Sequence, residues 1–198
     1  DQDNAWNAVT DTKAKDLQAG EAYKIFIRGD RNYNLNASPG DPDFEPNSDV
    51  TLRSTGFLLT GDYSPTLSDQ AGYFSFIGNP YQAIVDMSEV LNNNSSNLNT
   101  NYYWIWDPNL NPSATNGKGA YVAVDLGSGN NTTPGGGTSS SDATQFVMPG
   151  QSFFVQTANN GAANITFTEA SKDVNLPSTD VFSDNNQAYI NLKLYKTT

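Results

Sequence analysis

The sequence contains no cysteine and no histidine. Thiol catalysis, Ser-His-Asp catalysis, disulfide bonding and the usual structural zinc sites are therefore excluded. A metal, if one is used, must be a hard cation held by oxygen, and Ca²⁺ is the candidate ion, although no cofactor is required. Basic residues are also scarce: ten Lys and Arg stand against 21 Asp and Glu, a formal net charge of −11. With no basic patch, nucleic acid and anionic membranes are poor partners. No apolar run reaches the roughly 20 residues of a membrane-spanning helix. The sequence does not open on a secretory leader pattern, which is expected of a mature chain or an excised piece.

What the 198 residues do contain is Asn, Thr, Ser, Gly and Asp in quantity, with aromatic residues at 12%. Short β-branched and aromatic runs recur between Gly, Pro, Asn and Asp, so strands and turns are expected rather than long helices. Candidate strands are 22–28 (AYKIFIR), 50–59 (VTLRSTGFLL), 73–77 (YFSFI), 102–106 (YYWIW), 120–125 (AYVAVD), 152–157 (SFFVQT), 164–168 (NITFT) and 188–195 (AYINLKLY). Tyr23, Ile25 and Ile27 alternate with Lys24, Phe26 and Arg28, the pattern of a half-buried antiparallel strand. One helix is expected over 81–91, where Ile84, Met87, Val90 and Leu91 share a face after the Asn-Pro pair. The expected fold is all-β: an antiparallel β-sandwich, jelly-roll-like, forming a single module over 1–198. Residues 127–142 (GSGNNTTPGGGTSSSD) are expected to form a flexible Gly/Ser/Thr-rich loop. A weak internal repeat relates 17–27 (LQAGEAYKIFI) to 147–155 (VMPGQSFFV): each has an apolar residue, a Gly turn and a strand with a leading aromatic.

Three segments are candidates for chemistry. Tyr102, Trp104 and Trp106 alternate with Tyr103 and Ile105 and so share one strand face. Exposed, that face is an aromatic platform for sugar rings, with Asn and Asp nearby for hydroxyl groups; buried, it is core, the reading the sequence favours. Asp41, Asp43, Glu45, Asn47 and Asp49 place oxygen side chains at alternate positions, which resembles part of a Ca²⁺ loop. The segment lacks the mid-loop Gly and terminal Glu of an EF-hand, which favours a solvated acidic loop with Asx turns. A further oxygen-rich cluster, Asp107, Asn109 and Asn111 with Asn116 and Asp125, is explained mostly by Asx turns, with Ca²⁺ again the less favoured alternative. The Arg28-Gly29-Asp30 tripeptide has the form of an integrin motif but reads more simply as a strand ending in a turn. The glutamates, Glu21, Glu45, Glu89 and Glu169, show no pairing of the kind a glycosidase needs, and the chain is expected not to be an enzyme.

Several blocks occur in a telling order: Gly20-Glu21-Ala22-Tyr23, Ile27-Arg28-Gly29-Asp30-Arg31, Thr51-Leu52-Arg53-Ser54-Thr55-Gly56, Gly78-Asn79-Pro80-Tyr81, Tyr103-Trp104-Ile105-Trp106-Asp107 and Pro149-Gly150-Gln151-Ser152-Phe153-Phe154-Val155. Together they resemble a β-rich module found before the C-terminal sorting domain of Bacteroidetes proteins exported by the type IX secretion system. The resemblance covers nearly the whole chain. It implies a non-catalytic, structural or adhesive module of an extracellular or cell-surface protein of a Gram-negative bacterium. Hosts of such modules include adhesins, gliding-motility surface proteins and multi-domain enzymes. The implied partners are the secretion machinery, through a sorting domain outside this chain, and surface glycans or neighbouring surface proteins. A carbohydrate-binding module is the first alternative. A surface-filament subunit or secretion substrate completed by strand exchange is the second.

Overall fold

The computed structural model describes residues 7–11, 14–25, 34, 36, 55–107, 120–128, 131–132, 141 and 143–173. The chain divides into two compact units, Asp1–Ala22 with Leu59–Thr198, and Tyr23–Leu58. Among the described residues of the second unit none belongs to a helix or strand, and Ile25, Phe57 and Leu58 are exposed. The strands, the helix and the candidate site described below belong to the first unit.

Its strands are β1 (Phe74–Gly78), β2 (Ile84–Asp86), β3 (Ser95–Ser96), β4 (Tyr102–Asp107), β5 (Ala120–Asp125), β6 (Asn131–Thr132), β7 (Phe146–Val147), β8 (Ser152–Gln156), β9 (Asn164–Ile165) and β10 (Lys172–Asp173). Among the described residues one α-helix, α1 (Met87–Asn93), follows β2, and one 3₁₀ turn, Glu169–Ser171, precedes β10. All pairings are antiparallel. Five strands form a sheet in the order β1-β8-β4-β5-β6; β10-β2-β7 and β3-β9 form two smaller sheets. The fold is thus all-β with one helix, as the short alternating runs required.

The core lies on one side of the five-stranded sheet. Ile77, Tyr103, Ile105, Val124, Phe153 and Val155 meet Met87, Val90 and Leu91 of α1, Val85 and Val147 of the small sheet, and Ile165 and Phe167. The buried positions of β4, β5 and β8 alternate strictly, so every second side chain of the sheet points away from this core.

The helix differs from expectation. It begins at Met87 instead of Tyr81, because Ile84 and Val85 are β-branched or buried between strands: Val85 pairs with Val147 on one side and Lys172 on the other. Asp86 is the N-cap, its carboxylate accepting from Ser88 N at 2.8 Å and Ser88 Oγ at 2.6 Å. Asn79, which precedes the expected start, uses its carboxamide in a tight turn instead, accepting from Tyr81 N at 2.9 Å.

Other expectations are corrected in the same way. The described residues 55–59 of the candidate strand 50–59 are not strand, and Phe57 is fully exposed. Of the candidate 22–28, residues 22–25 are not strand; only Glu21 bridges to Ile77. The segment 127–142 is not wholly loop, since Asn131–Thr132 pairs with Ala123 and Val124 as β6. The candidate strand 188–195 lies outside the described residues. Among the described residues no helix is long and apolar enough to cross a membrane.

The internal repeat survives at the turns. Glu21 N donates to Gln18 O at 3.3 Å and Gln151 N to Met148 O at 3.2 Å, with Gly20 at φ 81° and Gly150 at φ 79°. Glycine in the third position with positive φ is the form of a type II turn. The two turns then grip the same end of β1: Gly78 N donates to Gly20 O at 2.8 Å and Asn79 N to Gln151 O at 2.9 Å. The likeness stops there, because a strand follows Gly150 but none follows Gly20 among residues 22–25.

Candidate functional site

The side of the five-stranded sheet that faces away from the core is built from aromatic rings. Phe74 and Phe76 come from β1, Phe154 from β8, Tyr102, Trp104 and Trp106 from β4, and Tyr121 from β5. Register brings them together. Phe76 lies opposite Phe154, Phe154 opposite Trp104, and Trp106 opposite Tyr121. Ring centroids are 4.8 Å apart for Phe74–Trp104, 4.5 Å for Phe76–Phe154, 5.2 Å for Tyr121–Phe154 and 5.0 Å for Trp106–Tyr121. Tyr102 leans on Trp104 at 6.4 Å. Three of these five contacts are edge-to-face, the arrangement that aromatic quadrupoles favour. The result is a corrugated aromatic face rather than a flat one.

Tyr102, Trp104 and Trp106 therefore stand outside the core cluster, contrary to the reading the sequence favoured. Their neighbours Tyr103 and Ile105 are the buried pair, at 0% and 2% exposure. Tyr103 donates its hydroxyl to Thr144 O, and burial pushes its pKa far above the usual tyrosine value, so it stays protonated. On the aromatic face Phe74 is 41% exposed and Trp106 38%, while Tyr102, Trp104, Phe76, Tyr121 and Phe154 are half-buried. Burial also raises the Tyr121 pKa. Polar groups fringe the rings: Gln156 lies opposite Phe74 and Asp125 opposite Tyr102. Asn99 Nδ2 donates to Gln156 Oε1 at 3.3 Å.

Phe74, Phe76, Tyr121 and Phe154 were not marked by the sequence as members of this face. Their alternation was readable, but which strands lie side by side was not.

At the end of β1 a cavity of about 390 Å³ opens between the Gln18–Glu21 turn, the segment 63–66 and the strand itself. Glu21, Tyr63, Ser64 and Thr66 line it together with Phe76. Burial and the Glu21 charge both raise the Tyr63 pKa, burial the more. Ser64 Oγ shares a 2.9 Å hydrogen bond with Thr166 Oγ1.

The most distinctive sequence blocks do a different job. Asn79, 8% exposed, donates from Nδ2 to Ala83 O at 2.9 Å and Val147 O at 3.0 Å. The hydroxyl of buried Tyr81 lies 2.6 Å from Gly61 O and 3.0 Å from Phe167 O, and its one proton is shared between the two carbonyls. Gln151 Oε1 accepts from Met148 N at 2.7 Å, inside its own turn. A Cβ at Gly78 would sit 3.1 Å from Glu21 O, so this position is kept small by the close approach of the turn. The Gly-Asn-Pro-Tyr and Pro-Gly-Gln blocks thus knot the turns to the end of β1.

The other candidates divide. Asp125 forms the Asx turn expected of it, accepting from Gly127 N at 2.8 Å and Ser128 N at 3.2 Å. Asp107 is buried and accepts from Ser141 Oγ at 2.5 Å. Asn109, Asn111 and Asn116, the segment with Asp41, Asp43, Glu45, Asn47 and Asp49, and Arg28-Gly29-Asp30 lie outside the described residues. Among the described residues no group of three or more Asp or Glu is placed to hold a metal ion.

Fold and site together define an all-β module with a knotted strand end and an aromatic sheet face. The chain belongs to the family described as a domain of unknown function, DUF8693, which matches residues 2–195. No curated protein and no solved structure matches it.

Proposed function

We propose that this chain is a non-catalytic, adhesive module of an exported surface protein, and that it holds neutral carbohydrate against the aromatic face of its five-stranded sheet. The observation that carries the reading is the alternation of β1, β4, β5 and β8, which commits seven aromatic side chains to the side away from the core. Large aromatic rings outside a core are costly to hydrate and gain by covering apolar C–H surface, which the faces of pyranose rings supply. Carboxamide and carboxylate groups at the fringe suit the sugar hydroxyls. A net charge of −11 disfavours acidic polysaccharides and leaves neutral ones. The ordered sequence blocks support an exported, type IX-secreted setting at a Gram-negative cell surface, with the secretion machinery as a partner through a sorting domain outside this chain.

A second reading is a purely structural spacer. It is favoured by the fact that the Gly-Asn-Pro-Tyr and Pro-Gly-Gln blocks are spent on internal hydrogen bonds.

Acrylamide quenching of tryptophan fluorescence separates the two. In a Trp6→Phe background only Trp104 and Trp106 report, because the chain has three tryptophans. A soluble neutral polysaccharide should shift the emission and protect both from quencher. An unchanged spectrum across neutral and acidic polysaccharides favours the spacer.

A further inference from the structure

The cavity at the end of β1 has the composition of a sugar subsite, and we propose that it seats one neutral pyranose of the bound glycan. This inference rests on the carbohydrate reading of the aromatic face and names where hydroxyl groups are read. The aromatic rings give stacking area but few directed hydrogen bonds. The cavity is lined by the complementary residue types: Glu21, Tyr63, Thr66, and Ser64, whose hydroxyl is shared with Thr166. Its volume of about 390 Å³ lies at the lower end of the roughly 300–1,000 Å³ range of small-molecule sites.

Phe76 joins the two regions. It lines the cavity and stacks on Phe154 at 4.5 Å, and Phe154 in turn meets Tyr121 at 5.2 Å. A glycan lying on the rings therefore reaches the cavity without leaving aromatic surface. A carboxylate has acceptor sites on both oxygens, so Glu21 can take a sugar hydroxyl beside the partners it already has. Its charge rejects uronic and sialic acids at this position. The wall is fixed by the structure around it: the Glu21–Ile77 bridge, the Gly78 N to Gly20 O hydrogen bond and the packing of the Tyr63 ring beneath Gly20. A wall held in this way pays little ordering cost on binding.

The test uses the full chain, ¹⁵N-labelled, titrated with neutral methyl hexosides and a neutral hexose oligosaccharide, with methyl glucuronide as the charged comparator. Amide shifts should appear at Glu21, Ala22 and Thr66 with the neutral sugars and be absent with the glucuronide. Glu21→Gln should weaken the oligosaccharide about tenfold or more, the loss of a charge-assisted hydrogen bond. Thr66→Val, on an exposed side chain, should weaken it less. Shifts confined to residues 102–106 and 121, with Glu21→Gln binding as the parent does, would overturn the cavity assignment and leave the aromatic face standing. No shifts with any sugar would overturn both.

Discussion

Asn79 shows how much one buried side chain can organise. Its carboxamide makes three hydrogen bonds, to Ala83 O, Val147 O and Tyr81 N, joining the end of β1 to the start of β2 and to β7. Removing it takes one hydrogen bond each from the carbonyls of Ala83 and Val147 and from the amide of Tyr81. Asn79→Ala should cost about 2–4 kcal/mol in urea unfolding, whereas a change within about 0.5 kcal/mol would contradict the role. Tyr81→Phe removes only the hydroxyl that reaches Gly61 O and Phe167 O and should cost about 1–2 kcal/mol by the same measurement. A few ångströms away, Lys172 Nζ lies 3.9 Å from the centre of the Tyr81 ring and 2.7 Å from Glu169 Oε2. The Lys172 hydrogen bond, then Gly61 N at 2.7 Å, hold the Glu169 pKa below the usual carboxylate value. A carboxyl group whose folded pKa is depressed stabilises the fold above its unfolded pKa, about 4.3, and loses that contribution as pH falls through the folded value. Glu169→Gln should therefore lower the thermal midpoint at pH 7 slightly and remove part of its decline between pH 5 and 3. An unaltered acid limb would contradict this.

Turns, at the scale of elements, decide where strands may begin. Gly20 and Gly150 share backbone conformation but not surroundings. A Cβ at Gly20 would lie 2.3 Å from the Tyr63 ring, while one at Gly150 would meet nothing within 4 Å. Gly150→Ala should cost about 1–2 kcal/mol for the left-handed backbone alone. Gly20→Ala should cost clearly more, and equal thermal shifts for the two would contradict the packing described. The same distinction explains what was legible in the sequence. Strands with strong alternation, β1, β4, β5 and β8, were found within one residue or so at each end, because alternation is a local property. The two- and three-residue strands β2, β3, β6, β7 and β10 were not, since they are too short to show a period and exist only through their partners. The helical period starts six residues ahead of α1 because Ile84 fits a helical face and a strand equally well, and Val85 next to it is claimed by tertiary pairing. The aromatic face was half legible: the alternation of Tyr102, Trp104 and Trp106 was visible, but the side on which the core lies depends on α1 and the small sheets.

For the described part of the molecule, the division is between a core held by hydrogen-bonded turns and a sheet face of aromatic rings outside it, the face that the proposed reading gives to a glycan. A net charge of −11 disfavours association with other acidic molecules, and on the proposed reading the binding of a neutral glycan should be only weakly salt-dependent, since no charge pair would drive it. Trp104 sits at the centre of the face, in contact with Phe74 and Tyr102 and opposite Phe154. Its loss should cost about 2 kcal/mol of binding energy or more, roughly thirtyfold in affinity, as for other central aromatic anchors. The most direct measurement is isothermal titration of the intact chain and of Trp104→Ala with a soluble neutral polysaccharide, at low and at high salt. The account predicts binding by the intact chain at both salt concentrations and a loss of roughly thirtyfold or more in the variant, with its fold unchanged by circular dichroism. Equal affinity of the two proteins, or no heat of binding from the intact chain with any neutral polysaccharide, would contradict it.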